Sequence, residues 1–161
     1  MQTDDRAIRS NLVELLRGQG AHVDLPSALK DFPPKLYGVR PEGAPHSGWE
    51  ILEHVRFTLH DLLDFSTNPE YLEPTWPDDY WPKSSKPDSN EAWRQSVKAI
   101  EQDLKAFEDL VQDPKSNLYA GIPWAKHGQT LLREVLLAAD HTSYHTGELV
   151  LLRRLLGAWK G

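Results

Sequence analysis

Residues 140–148 read DHTSYHTGE and lie in the middle of a long C-terminal segment whose apolar residues follow a helical period. His141 and His145 are four positions apart, so a helix with 3.6 residues per turn presents both imidazoles from one face. Two imidazoles placed in this way can bind the same divalent metal ion. The same face carries Ala138, Leu149, Leu152 and Leu156. The pair is therefore predicted to point inward, where an unpaired imidazole would be costly.

A third histidine, His54, lies in another amphipathic segment, on the flank of that segment's apolar face. A lone histidine in such a position is more often half buried and bonded to a carbonyl group or to Glu50, one turn earlier. The helical pair at 141 and 145 changes this balance, because His54 supplies a candidate third ligand. The three histidines together favour a metal site over structural histidines.

The composition indicates one globular domain over residues 1–161. The formal net charge is -6 and no cluster of five or more Lys/Arg residues is present, which argues against nucleic acid as a partner. No apolar run approaches the ~20 residues that span a bilayer, and residues 1–6 lack the layout of a signal peptide. The absence of cysteine excludes disulfides and thiolate ligands. We therefore expect a cytoplasmic protein without membrane segments.

Four amphipathic segments predict four helices and an all-α fold, a four-helix bundle. Ser47 and Glu50 match a capping box at the start of the second helix, and Gly157 marks the end of the last. Five prolines in the first connector leave room only for a short helical turn near residues 27–31. The predicted helices are 4–17, about 47–65, about 90–111 and 130–156, and the connectors are 21–46, 66–88 and 112–129.

The connector at 66–88 is long and rich in aromatic residues, which argues against disorder. It is either a crossover that runs along the bundle or a lid over a pocket, and the two interpretations are compatible. Crossover packing is favoured, with Trp76, Tyr80 and Trp81 ordered against the helices.

Two carboxylates share the histidine face of the last helix. Glu134 lies one heptad before His141, where it either compensates the helix dipole or stands close to a metal or substrate. Glu148 lies three residues after His145, where it forms an ion pair with Arg153 or Arg154, bonds to a neighbouring helix, or acts at the metal site. In the last case it orients a ligand imidazole or accepts a proton. The remaining histidines are expected to be solvated rather than ligands; these are His22, His46, His60 and His127.

Three segments carry a resemblance to a known family. The second helix contains WEILEHV at 49–55, and the last contains DHTSYHTGEL at 140–149 followed by LRRLLGAW at 152–159. A bundle with these elements in this order resembles the DinB-like superfamily of metalloenzymes over essentially the whole chain. Glu148 stands where the family pattern usually has Gln.

The resemblance implies that His54, His141 and His145 bind one divalent metal ion, commonly zinc or nickel. It also implies an up-down-down-up bundle, with the long connection between helices 2 and 3 running alongside it, and a homodimer. Relatives of this kind include thiol-dependent S-transferases and a thiol-dependent isomerase. We therefore expect a metal-dependent enzyme with a small-molecule substrate, either a transferase that uses a low-molecular-weight thiol or a hydrolase. Glu148 and Glu134 are the candidate catalytic carboxylates. A non-catalytic bundle that binds a metal or a small ligand is the alternative.

Overall fold

The computed structural model describes residues 3–160, with side chains from residue 4, so residues 1, 2 and 161 of the predicted 1–161 domain lie outside it. The described chain is α-helical, with no strand and one isolated bridge between Gly121 and Thr130. The helices are α1 (Thr3–Leu16), α2 (Leu25–Leu29), α3 (Gly48–Thr67), α4 (Asn90–Gln112) and α5 (Leu131–Leu155), with a 3₁₀ turn at Pro34–Leu36. The four long helices agree with the sequence prediction to within two residues or so at each end, and α2 is the short turn expected in the first connector.

The start of α3 is fixed by the predicted capping box. Ser47 Oγ accepts a hydrogen bond from the Glu50 amide at 3.2 Å, and Glu50 Oε2 accepts one from the Ser47 amide at 2.8 Å. This exchange satisfies two amides that the first turn of a helix leaves without partners. Because the box sets where α3 begins, it also sets which face of the helix His54 occupies.

The core forms where α3 packs against α4 and α5, and where α1 packs against the same two helices. Burial of apolar side chains along these seams supplies the main favourable free energy of folding. The largest fully buried apolar side chains are Leu52, Val55, Leu59, Ile100, Phe107, Val111, Leu118, Val135 and Leu149. None of the helices in the described part of the chain combines the length and apolar composition needed to cross a membrane.

Aromatic residues of the connection between α3 and α4 pack on α3, among them Tyr80 and Trp81. Tyr80 and Trp81 are half buried, as expected, and Ser47 Oγ donates a hydrogen bond to the Ser85 carbonyl at 2.5 Å. Trp76 departs from the expectation in part, because it is 67% exposed. Its ring lies against Tyr80, with centroids 5.2 Å apart, and edge-on to His54 of α3, with centroids 6.4 Å apart.

Candidate metal centre

The histidine cluster, which we define as His54, His141 and His145, brings α3 and α5 together through three imidazoles. His54 and His145 are buried, at 3% and 6% exposure, and His141 is partly buried. The Nε2 atom of His141 lies 3.1 Å from Nε2 of His54 and 3.1 Å from Nε2 of His145. One ligand nitrogen from each residue lies within 4.8 Å of the other two, so the cluster could hold a metal ion.

Hydrogen bonds at the opposite ring nitrogens define the tautomers of two of these residues. His54 Nδ1 lies 2.9 Å from the Tyr80 carbonyl oxygen, which can only accept, so Nδ1 carries the proton. His145 Nδ1 lies 2.5 Å from Oε2 of Glu148 and donates to that carboxylate. Both rings, when neutral, therefore present a bare Nε2 lone pair to His141.

The cluster has the donor set and spacing that a divalent ion requires. His141 has one proton at most on Nε2 and can donate it to only one of the two facing lone pairs, so protein groups alone leave a buried acceptor without a donor. Ligand nitrogens about 2.0–2.1 Å from a tetrahedral ion would be about 3.3–3.4 Å apart, within a few tenths of an ångström of the observed 3.1 Å. Two of the three Nε2 separations therefore match a bound ion, and the available protons cannot pair all three imidazoles with one another.

The electrostatic environment keeps the imidazoles neutral. Burial is the main cause that lowers the pKa of His141 to about 3, and neighbouring His145 and His54 lower it further. Burial, followed by His54 and His46, lowers the pKa of His145 to about 4. The pKa of His54 is also lowered, mainly by burial. Neutral imidazoles are the form that binds a metal, so the three histidines are already in the metal-binding protonation state at neutral pH.

Glu148 accepts the Nδ1 proton of His145, which gives the carboxylate–histidine pair that is common around bound metals. Burial raises the pKa of its carboxyl group, against the opposing effect of His46 and His54. The predicted alternative, an ion pair with Arg153 or Arg154, is wrong. The Arg153 guanidinium instead donates to the carbonyl oxygens of Ala28, Lys30 and Ala158, and Arg154 is exposed.

An aromatic stack covers one side of the histidine cluster. The Trp81 ring lies parallel to the His54 ring, with centroids 3.9 Å apart and an interplanar angle of 2°. The His46 ring also stacks on Trp81, at 3.9 Å and 17°. The expectation that His46 is a solvated loop residue was wrong, because this stack half buries it. The cause is a long-range contact between two connectors, for which the local sequence carries no periodic signal.

The Asp61 cluster, which we define as Asp61, Tyr71 and Tyr80, was not predicted. Asp61 lies one heptad after His54 on α3, and its two carboxylate oxygens accept from the Tyr71 and Tyr80 hydroxyls at 2.8 Å each. Burial and then the Asp61 carboxylate raise the pKa of both tyrosines, which therefore stay protonated donors. The heptad spacing from His54 is the one signal that could have pointed to Asp61.

Glu134 is 1% exposed, and its carboxylate accepts from Arg133 at 2.6 Å. It lies two helical turns, roughly 10 Å, from His141 along α5, so the structure does not bring it to the histidines. It lines a cavity of about 280 Å³ together with the Asp61 cluster.

The other histidines are placed as the sequence predicts. His22, His60 and His127 are exposed. The His60 ring is exposed on α3 and lies 3.2 Å from the Asp103 carboxylate on α4.

A family model described as the DinB superfamily matches residues 19–149, which include all of α3 and α4 and the histidine pair of α5. The chain therefore belongs to the DinB superfamily. No curated protein and no solved structure matches the sequence.

Proposed function

We propose that this DinB superfamily protein is a metal-dependent enzyme, in which His54, His141 and His145 hold one divalent ion beside a site for a small-molecule substrate. One observation carries the proposal. Three Nε2 atoms converge from two helices, and the tautomers of His54 and His145 leave two lone pairs there that the single proton available from His141 cannot satisfy together.

When bound, a divalent ion with three histidine ligands keeps a position open to another ligand and lowers the pKa of a thiol or water that takes it. The chain's own residues supply the surroundings. Glu148 holds the His145 ring through Nδ1, and the Tyr80 carbonyl holds His54 in the same way. Trp81 covers the face of His54 and excludes water from that side. These contacts orient the ligands before a substrate arrives.

We propose zinc or nickel as the ion. Imidazole suits both, and a donor set made only of imidazoles accepts several first-row divalent ions, so affinity alone does not select between them. The absence of cysteine removes the soft ligands that would favour copper(I).

A cleft beside Glu148 supports a small-molecule substrate. Its volume is about 260 Å³, just below the range typical of pockets for drug-sized ligands. Carbon-rich walls from α5, α3 and the first connector surround it, with Glu42, His46 and Glu148 as the polar side chains. The apolar lining residues are Ala44, Pro45, Ile51, Leu151, Leu152 and Leu155. Thiol transfer and hydrolysis both fit such a site, and the superfamily resemblance favours the thiol.

Metal content and turnover together test the function. The freshly purified protein is analysed for metal, and the zinc- and nickel-loaded forms are incubated with a low-molecular-weight thiol and a panel of electrophiles. A panel of esters and amides without thiol tests hydrolysis. We expect about one ion per chain and thiol consumption that requires both protein and metal, with His141→Ala as the inactive control. Stoichiometric metal without turnover in either panel would favour the non-catalytic binding bundle, and a wild-type chain that binds no divalent metal would overturn the site.

We further propose the up-down-down-up arrangement, with the α3–α4 connection as a crossover alongside the bundle. Contacts between the helices support it. Two residue contacts at different heights along a pair of helices indicate whether the two chains run in the same or in opposite directions. Support for parallel α3 and α4 comes from Trp49–Trp93 and His60–Asp103. Support for antiparallel α3 and α5 comes from His54–His141 and from Gly48, which lies beside Leu152.

A homodimer is also proposed, and the exposed side of α5 supports it. Four large apolar residues lie within about a third of the helix circumference on that side. They are Leu136, Tyr144, Leu151 and Leu155, which are 43%, 65%, 58% and 59% exposed. Sedimentation at tens of micromolar tests the association, and a monomer there would contradict it.

A further inference from the structure

We propose that Tyr80 is a positioning residue for His54 and that Asp61 holds it in place. The inference rests on the proposed metal site, and it deepens that site by assigning the residues that orient one ligand. The backbone of the α3–α4 connection, rather than α3 itself, would then determine which nitrogen of His54 faces α5.

The first step is the contact between the connection and the imidazole. Helix α3 fixes the Cα and Cβ atoms of His54, but a half turn about the Cβ–Cγ bond exchanges each ring nitrogen with a ring carbon and would move Nε2 away from His141. The Tyr80 carbonyl accepts from Nδ1 at 2.9 Å, and the Trp81 ring lies flat on the imidazole at 3.9 Å. Both contacts come from consecutive residues of the connection. Together they set the tautomer and the plane of the ring, and both leave Nε2 facing His141.

The second step is the anchoring of Tyr80. Its hydroxyl donates to Oδ2 of Asp61 at 2.8 Å, while its carbonyl accepts from His54. Asp61 and His54 are seven residues apart on α3, which places their Cα atoms roughly 10 Å apart along the axis. Tyr80 therefore spans two turns of the helix and is bonded to it at both ends. Loss of the hydroxyl bond would free one end and let the carbonyl drift from Nδ1.

The third step is a matched control that the chain itself provides. Tyr71 donates to the other oxygen of Asp61, also at 2.8 Å, and is half buried like Tyr80. It has no hydrogen bond to a histidine in the described structure; its ring instead lies edge-on to Phe65. Removing either hydroxyl deletes the same kind of hydrogen bond to Asp61. Only the loss of the Tyr80 hydroxyl is expected to affect the histidine cluster, because only Tyr80 also accepts a hydrogen bond from His54.

The experiment compares Tyr80→Phe with Tyr71→Phe in the full chain. Zinc affinity is measured by competition with a chromophoric chelator, and the imidazole ¹⁵N resonances of the metal-free protein report the His54 tautomer. For Tyr80→Phe we expect zinc affinity to fall about fivefold, the factor that corresponds to one hydrogen bond of about 1 kcal/mol. The His54 resonances should shift towards a mixture of tautomers. Tyr71→Phe should change neither measurement.

Equal effects of the two substitutions on zinc affinity would overturn the proposal, as would an unchanged His54 tautomer in Tyr80→Phe. Asp61→Asn is a second variant that weakens both tyrosine contacts, and it should reproduce the His54 shift. The tautomer measurement needs no metal, so it tests Tyr80 even if the wild-type chain fails to bind zinc. That failure would overturn the proposed function alone.

Discussion

The histidine cluster and the Asp61 cluster lie one heptad apart on α3, and both withdraw polar side chains from solvent. They differ in how their hydrogen-bonding groups are satisfied. Asp61 accepts from two hydroxyls that can only usefully donate to it, so the cluster is complete within the protein. The histidine cluster sets three Nε2 atoms against one another with too few protons to pair them. A buried polar group without a partner costs stability, so its persistence indicates a ligand that the protein alone does not supply.

The largest expected effect comes from removing one histidine. In His141→Ala, two ligand nitrogens remain, and metal content should fall from about one ion per chain to near zero. His60→Ala is the control, because His60 is an exposed histidine on the same helix as His54 and pairs with Asp103. Elemental analysis of both purified variants makes the comparison. Full metal retention in His141→Ala would show that the two clusters do not differ as described.

The second effect is a pH dependence of folding in the metal-free protein. The pKa values of His141 and His145 are about 3 and about 4 in the folded state, against about 6.5 when unfolded. Between these values the unfolded chain binds more protons, so the free energy of unfolding rises with pH and falls as the pH is lowered from about 6.5. Each group contributes a slope of up to about 1.4 kcal/mol per pH unit.

Urea unfolding of the metal-free protein at pH 7.5, 6 and 5 measures this dependence. The window stops at pH 5 because carboxylates begin to titrate below it. A double His141→Gln, His145→Gln variant should show a much flatter profile. The same steep profile in the double variant would mean that other groups cause it. The free energy of unfolding of the zinc-loaded wild type should decrease less between pH 7.5 and 5, because protons compete for the ligand nitrogens only at low pH.

The third effect concerns Glu148→Gln. The substitution replaces a charged acceptor of the His145 Nδ1 proton with a neutral one. Zinc affinity should fall by about 10–100-fold, the usual range when a partner that orients a metal ligand is changed, while the fold is kept. Competition titration gives the affinity, and circular dichroism checks the fold. Unchanged affinity would mean that Glu148 is only a local partner of His145.

The smallest effect belongs to the Asp61 cluster. Tyr71→Phe deletes one hydrogen bond, from the Tyr71 hydroxyl to Asp61. We expect it to lower the free energy of unfolding by about 1 kcal/mol, the usual contribution of one hydrogen bond. Chemical unfolding measures this cost. A loss well above it would indicate that the Asp61 cluster supports more of the fold than its two bonds suggest.

The sequence was most informative where a period or a local motif operates. The Ser47–Glu50 box predicted the start of α3, and the spacing of His141 and His145 predicted two imidazoles on one face of α5. The groups that orient those imidazoles were harder to foresee. Glu148 could be placed on the correct face, but its partner remained open between a histidine and an arginine. The local pattern does not show that Arg153 is occupied by the carbonyls of a distant connector.

Contacts made by irregular backbone escaped prediction altogether. The carbonyl of Tyr80 is a feature of every residue and carries no sequence signal, so its bond to His54 depends on the path of the connection. The stack of His46 on Trp81 joins two connectors that are far apart in the chain. Trp76 showed the opposite error in part, since its large apolar ring suggested close packing on the helices, whereas it is mostly exposed and meets α3 only edge-on at His54. Such contacts follow from tertiary structure rather than from local preference.

The stack of Trp81 on His54 also gives the protein an internal spectroscopic reporter. An indole 3.9 Å from a candidate metal ligand lies within contact quenching range of any paramagnetic ion bound there. Nickel or cobalt should therefore quench tryptophan emission, while zinc, which has a closed d shell, should only shift it. Trp76 also lies near His54, with ring centroids 6.4 Å apart, so the difference between the wild type and Trp81→Phe separates the Trp81 signal from that of the other five tryptophans. Ion binding can thus be followed in real time, without an attached dye and before any substrate is known.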